Sequence, residues 1–252
     1  MYYYYYREFY PRAWASEAHS ELCRRAFGRD LCQEGMTDME SLDGLLDRLE
    51  LAPGQRVLDL GCGAGGIANY VSERHDVHVT GVDNAKPAIA QARKVFADRA
   101  DRVAFLEADL NDLRIDGGFD AAIAIDVLYW VADLKETLAS IAGLLKPGGR
   151  IAVVMLQHHG DRDSPGRIPP EQTKFGRAAS ELGLRFEAVD LTEHNHAFWK
   201  RNHAAARDLQ PRFEAEGNGF IAASLIREAE EEFLPAYGEG KTTRYLYLVR
   251  VP

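Results

Sequence analysis

Cysteine is scarce in this 252-residue chain: Cys23, Cys32 and Cys62 form an odd, scattered set. They offer neither a disulfide framework nor paired metal-ligand spacing, so a stapled secreted domain is excluded and a reduced, cytoplasmic interior is expected. Long apolar runs are missing too. The opening MYYYYYREF holds no stretch long enough for a signal peptide or a membrane span, and no membrane partner is expected. Positive charge is in short supply, with 30 Lys and Arg against 39 Asp and Glu and a net charge of −9. A nucleic-acid backbone requires a concentrated basic face, which these numbers and the absence of any basic run argue against. Apart from a run of tyrosines, no internal repeat or low-complexity linker divides the chain.

What is present suits one large α/β domain, burying roughly 70–75% of its unfolded surface. The organising stretch is VLDLGCGAGG, residues 57–66. The apolar run Arg56–Leu60 reads as a strand buried on both faces. Glycines 61, 63, 65 and 66 then lead into a helix-like segment, Ile67–Arg74. Gly61 and Gly63 let the backbone turn tightly and approach a ligand, and the following helix points free N–H groups at it. Gly61, Gly63 and Gly66 also fit the dinucleotide fingerprint, so a nicotinamide enzyme is one reading. Asp59 weighs against it, because a carboxylate at the strand tip repels pyrophosphate and suits a cationic amine. Asp83 ends the next strand-like run, 20 residues after Gly63. One ionised carboxylate there offers two acceptor oxygens to a ribose diol, with Asn84 beside it.

At Asp59, Gly61, Gly63 and Gly65 the chain resembles the class I S-adenosylmethionine-dependent methyltransferases of small-molecule type. The ribose acid, the EADL tetrapeptide ending in Asp109 and Leu110, and the LKPGGR hexapeptide follow in the family's order. The resemblance covers residues 37–190 and 243–252. It implies a Rossmann-like, seven-stranded, mostly parallel sheet with an antiparallel last strand. It implies S-adenosyl-L-methionine as cofactor and a small-molecule acceptor. Asp109 and the Leu110 N–H are then expected at the adenine, and Gln33 at the methionine end. Asp126, Tyr129 and Trp130, at the tip of the strand Phe119–Asp126, are expected to border the sulfonium and the acceptor.

The remaining expectations concern the acceptor side. The single domain divides into 1–50 as lid and helices, 51–191 as cofactor core, 192–242 as an insertion between strands six and seven, and 243–252 as the last strand. Tyr2–Tyr6 fit neither a helix face nor a half-buried strand. They read as an aromatic lid, in which Tyr5 orients an acceptor, or as a sticky terminus that packs on its own domain or in a homodimer. His158 and His159, at the tip of Arg150–Gln157, are candidate general bases, and Tyr129 is a further catalytic candidate. No third ligand follows the histidines at metal spacing, so no metal is expected. Pro170–Leu182 reads as a helix, as do segments near His203–Glu216 and Phe220–Phe233. The same binding motifs also fit a non-methylating use of the cofactor, such as cyclisation or cleavage of its aminobutyrate part, or binding without turnover.

Overall fold

The computed structural model describes residues 2–159 and 166–252, with side chains from Glu8 onward. Seven strands form one sheet in the order β3-β2-β1-β4-β5-β7-β6. The parallel part comprises β1 (Arg56–Leu60), β2 (His78–Asp83), β3 (Val103–Glu107), β4 (Phe119–Ile125) and β5 (Leu145–His158). β7 (Thr242–Arg250) lies antiparallel between β5 and β6 (Phe186–Asp190). In β1, Leu58 pairs with Thr80 on one side and Ala122 on the other, so the first strand is central and strand order reverses beside it. Val57, Leu58 and Leu60 are fully buried, as expected of a strand covered on both faces.

Helices cover both faces: α1 (Tyr2–Ala13), α2 (Glu17–Phe27), α3 (Met39–Leu49), α4 (Gly66–His75), α5 (Lys86–Val95), α6 (Leu134–Leu144) and α7 (Lys174–Glu181). Ser16 caps α2 by accepting from the His19 N–H, and Gly28 ends that helix in the left-handed region. Asp38 caps α3 by accepting from the Ser41 N–H. Between β6 and β7 come α8 (Thr192–Ala215), α9 (Gly219–Glu228), a π-turn (Ala229–Phe233) and α10 (Leu234–Gly238).

Three local expectations need correction. The tyrosine run is helical, because Phe9, Tyr10 and Ala13 of the same helix bury themselves in the aromatic core and tertiary packing overrides local pattern. The helix expected near His203–Glu216 begins already at Thr192 and runs for 24 residues. Phe198, Trp199, Ala206, Leu209 and Phe213 are buried in the cluster that also holds Phe9, Leu22 and Phe27, a continuous apolar stripe with helical spacing. Before α7, Pro170–Gln172 forms a separate 3-10 turn, and the helix begins only after Thr173, whose hydroxyl accepts from the Gly176 N–H. Among the described residues no helix is long and apolar enough to cross a membrane.

Candidate active site

Two cavities open along the carboxyl edge of the parallel strands, where strand order reverses. The smaller, of about 280 Å³, is lined by Tyr10, Glu34, Gly61, Asp83 to Ala85, Pro87, Asp109 to Asn111, and Ile125 to Val127 with Trp130 and Val131. Its floor is the glycine turn. The N–H groups of Gly61 and Cys62 donate to the Val82 carbonyl at 2.8 and 3.0 Å, tying the turn to β2. Gly61 has φ +73°, and a Cβ there would lie 2.4 Å from Val127 Cγ2. Gly63 has φ +52°, and a Cβ there would lie 3.0 Å from the Tyr10 hydroxyl. Both positions therefore demand glycine for conformation and for space.

Asp83 is held from behind. Its Oδ2 accepts from the Gly63 N–H at 2.9 Å and its Oδ1 from the Ala85 N–H at 2.7 Å. Each oxygen keeps a further lone pair for a ligand. Burial pushes this carboxyl up, and the two N–H bonds pull it part of the way back. Asp59 lies deeper and lines neither cavity. It is 3% exposed, and its Oδ2 has no partner among the described residues. Burial, reinforced by the charge of Asp83, pushes the Asp59 carboxyl up to about 7. Asp109 caps the turn after β3: its Oδ1 accepts from the Asn111 backbone N–H and side-chain Nδ2 at 2.9 and 2.8 Å.

The larger cavity, of about 540 Å³, shares Glu34, Asp126, Trp130 and Val131 with the smaller one. Its far walls come from β5 (Met155 to His158) and from the insertion (Trp199, Leu225, Glu228, Glu232 and Phe233). Between the cavities sits a buried ion pair. Arg244 of β7, 1% exposed, reaches Asp126 through both guanidinium ends, Nη1 to Oδ1 at 2.6 Å and Nη2 to Oδ2 at 2.8 Å. Asp126 also accepts from the Met36 N–H (3.1 Å), the Thr37 hydroxyl (3.2 Å) and the Tyr129 hydroxyl (3.0 Å). The network thus joins β4, β7 and the Gly35–Thr37 loop. Asn195 of α8 adds to it by donating to the Met36 carbonyl at 2.7 Å.

This geometry sorts the residues singled out in the sequence. Gly61, Asp83, Asn84, Asp109, Leu110 and Asp126 line the smaller cavity, and Gly63 lies in its floor turn beneath Tyr10. Gln33 does not line it, which corrects that expectation. Its Oε1 accepts from the Leu31 N–H and its Nε2 donates to the Arg29 carbonyl, so the amide closes its own loop. Asp126 does border both cavities, but its charge is matched by Arg244. Tyr129 is a poor base: its hydroxyl donates to Asp126 and accepts from the Leu156 N–H at 2.6 Å, while burial and the Asp126 charge hold it far above the usual phenol range. His158 faces the larger cavity with both nitrogens engaged, Nδ1 on Thr242 Oγ1 at 2.9 Å and Nε2 3.4 Å from Glu232. His159 is buried against Thr243, away from either cavity. The side chain of Tyr5 lies outside the described residues. The acidic run Glu228–Glu232, which reads in sequence as a solvated face, instead turns Glu228 and Glu232 to the larger cavity, and sequence reasoning missed Glu34 and Arg244. Only Arg244 carried a signal, an arginine at the head of the apolar run YLYLVRV.

Residues 57–149 match the family described as methyltransferase domain. The chain is 41% identical over 113 residues to the O-methyltransferase rstn1 of Aspergillus nomiae, covering 44% of this chain and 50% of that protein. It is 34% identical over 134 residues to phosphoethanolamine N-methyltransferase of Triticum aestivum, covering 52% of this chain and 26% of that one. The chain thus spans about half or less of the length of these relatives. Among solved structures, phosphoethanolamine N-methyltransferase 2 of Haemonchus contortus superposes with TM-score 0.78 at 18% identity, over 98% of this chain and 60% of that one. Geranyl diphosphate C-methyltransferase of Streptomyces coelicolor superposes with TM-score 0.67 at 20% identity, over 85% and 76%. These structural likenesses establish the fold: a Rossmann-like methyltransferase sheet. The matched domain, the relatives and the fold agree with the expected class I S-adenosylmethionine-dependent methyltransferase.

Proposed function

We propose that the protein methylates a small molecule at nitrogen or oxygen, holding S-adenosylmethionine in the smaller cavity and the acceptor in the larger one. The observation that carries this reading is the shared wall of Glu34, Asp126, Trp130 and Val131, which lets two ligands meet end to end. The residues fit the cofactor. Asp83 has two free lone pairs for the ribose diol, with Asn84 alongside. The Leu110 N–H and Asp109 stand at the adenine end, the turn at Gly61 and Gly63 lets backbone approach closely, and Glu34 takes the role first expected of Gln33 at the ammonium. When bound, the cofactor supplies an electrophilic methyl group. The protein's own part is to align the acceptor and exclude water.

In this reading α1 is a cover. Tyr10 lines the smaller cavity above Gly63, and the tyrosine run precedes it on the same helix. Tyr5 remains a proposed acceptor-side residue on that helix. The three free, buried cysteines support a reducing, cytoplasmic setting. The experiment is a mass-spectrometric screen of acceptors with isotopically labelled cofactor. Labelled methyl in an acceptor together with S-adenosylhomocysteine supports methyl transfer. Methylthioadenosine in place of S-adenosylhomocysteine would show that the aminobutyrate part is used instead.

A further inference from the structure

The larger cavity is unequal in charge and rich in rings. Beyond Glu34 on the wall shared with the smaller cavity, Glu228 and Glu232 line it, against Lys174 and His158. His158 is already turned toward Glu232. Trp199 and Phe233 stack at 4.0 Å with an interplanar angle of 11°, and Trp130, 56% exposed, borders both cavities. Aromatic faces beside carboxylates attract cations, most strongly where water is excluded. The same walls oppose a second anionic group on the ligand.

The local backbone is wound so as to build this wall. Ala229–Phe233 is a single π-turn set between α9 and α10. In an α-helix Glu228 and Glu232 share a face, but Phe233, five residues after Glu228, would rotate onto the flank. A π-turn bonds i to i+5, so it brings Phe233 back over Glu228. All three residues then line one cavity. Such turns cost hydrogen-bond geometry and recur at functional sites. Glu228 is half-buried, accepts from the Ser224 hydroxyl at 3.0 Å, and is pushed up by burial and by the charge of Glu232.

We propose that the acceptor is an organic amine bearing no phosphate or carboxylate, and that Glu228, with Glu232, receives its ammonium group against the Trp199–Phe233 stack. The inference rests on the reading of the two cavities as cofactor and acceptor sites. An ammonium has no lone pair, so it must first give a proton to a carboxylate, and Glu228 is the half-buried one. The freed amine then forms its N–C bond as the methyl–sulfur bond breaks, and the electron pair of that bond stays on sulfur. The product nitrogen again carries a positive charge, and Glu228 returns its proton to solvent.

The test is binding to the full chain saturated with S-adenosylhomocysteine, read by calorimetry with four probes: phenethylamine, 2-phenylethanol, 3-phenylpropionate and phosphoethanolamine. Phenethylamine should bind about tenfold or more tighter than the other three, the value of one charge-assisted contact. Glu228→Gln should erase that preference without changing affinity for S-adenosylhomocysteine, and Glu232→Gln should reduce it. The Glu232 change lies at an exposed position, so it keeps the test available if the Glu228 variant folds poorly. If phenethylamine binds no better than the alcohol or the acid, or if phosphoethanolamine binds best, the inference is overturned while the cofactor reading stands. Failure of S-adenosylhomocysteine itself to bind would overturn both.

Discussion

Replacing Arg244 with methionine tests whether the wall between the cavities depends on its ion pair. Arg244 is 1% exposed and matched by Asp126 at 2.6 and 2.8 Å. Removing one partner of a buried pair leaves the other charge uncompensated, at a cost of about 3–5 kcal/mol. Asp126 would keep three donors, from Met36, Thr37 and Tyr129, which places Arg244→Met near the lower end, about 3 kcal/mol. Asp126→Asn leaves a guanidinium with far less compensation and belongs near the upper end. The double variant removes both charges, so its loss should fall short of the sum by about 1–3 kcal/mol. Urea unfolding at pH 7 reads these differences, with Arg244→Met moving the midpoint down by about 1 M or more. A single variant within about 1 kcal/mol of the native protein, or strictly additive losses, would refute the claim that the pair acts as a unit.

Asp83→Ala should weaken binding of S-adenosylhomocysteine by about 1.5–3 kcal/mol, the cost of losing charged hydrogen bonds; unchanged calorimetric affinity in a folded variant would move the ribose elsewhere. Gly63→Val should abolish that binding, because φ is +52° and a Cβ would already lie 3.0 Å from the Tyr10 hydroxyl; a variant that binds normally would dissociate the turn from the cofactor. Asp59 has its folded value raised to about 7, so its contribution to stability is complete below the unfolded value of about 3.9 and is lost as pH rises through about 7. Asp59→Asn should therefore gain about 2–4 kcal/mol relative to the native protein between pH 4.5 and pH 8, and urea melts showing a constant difference would remove the buried-charge argument. Deleting residues 2–6 should lower turnover with the true acceptor much more than it lowers melting temperature, and full turnover in the truncated protein would reduce α1 to packing.

The glycine turn and the strand-tip acids of the proposed cofactor side were legible because they are written in local rules. An apolar run followed by spaced glycines gives β1 and its turn, and the left-handed φ values at Gly61 and Gly63 leave little other choice. Acids at strand tips follow from the parallel sheet, so Asp83 and Asp126 fell at one edge without knowledge of any contact. The failures come where tertiary packing decides. Nothing local makes consecutive tyrosines helical; burial of Phe9 and Tyr10 does. Gln33 looked free to meet a ligand, yet its amide closes the loop that contains it. Arg244 pairs with a residue 118 positions away, and no periodicity reports such a partner.

Asp126 shows why the two halves differ in what a sequence reveals. At a strand tip it reads as a ligand-binding acid, and it does border both cavities. Five donors converge on its two oxygens, more than the roughly four lone-pair sites a carboxylate offers, so little capacity remains for a bound molecule. It also holds φ +55°, a conformation that a non-glycine residue keeps only where its surroundings enforce it. The same network fixes the Gly35–Thr37 loop and, through Tyr129, the end of β5 at Leu156. An acid expected to touch the ligand is thus the pin that ties together the walls of the two cavities. In the proposed reading, recognition of the acceptor then passes to carboxylates and rings on α8, α9 and the π-turn, which wall the larger cavity.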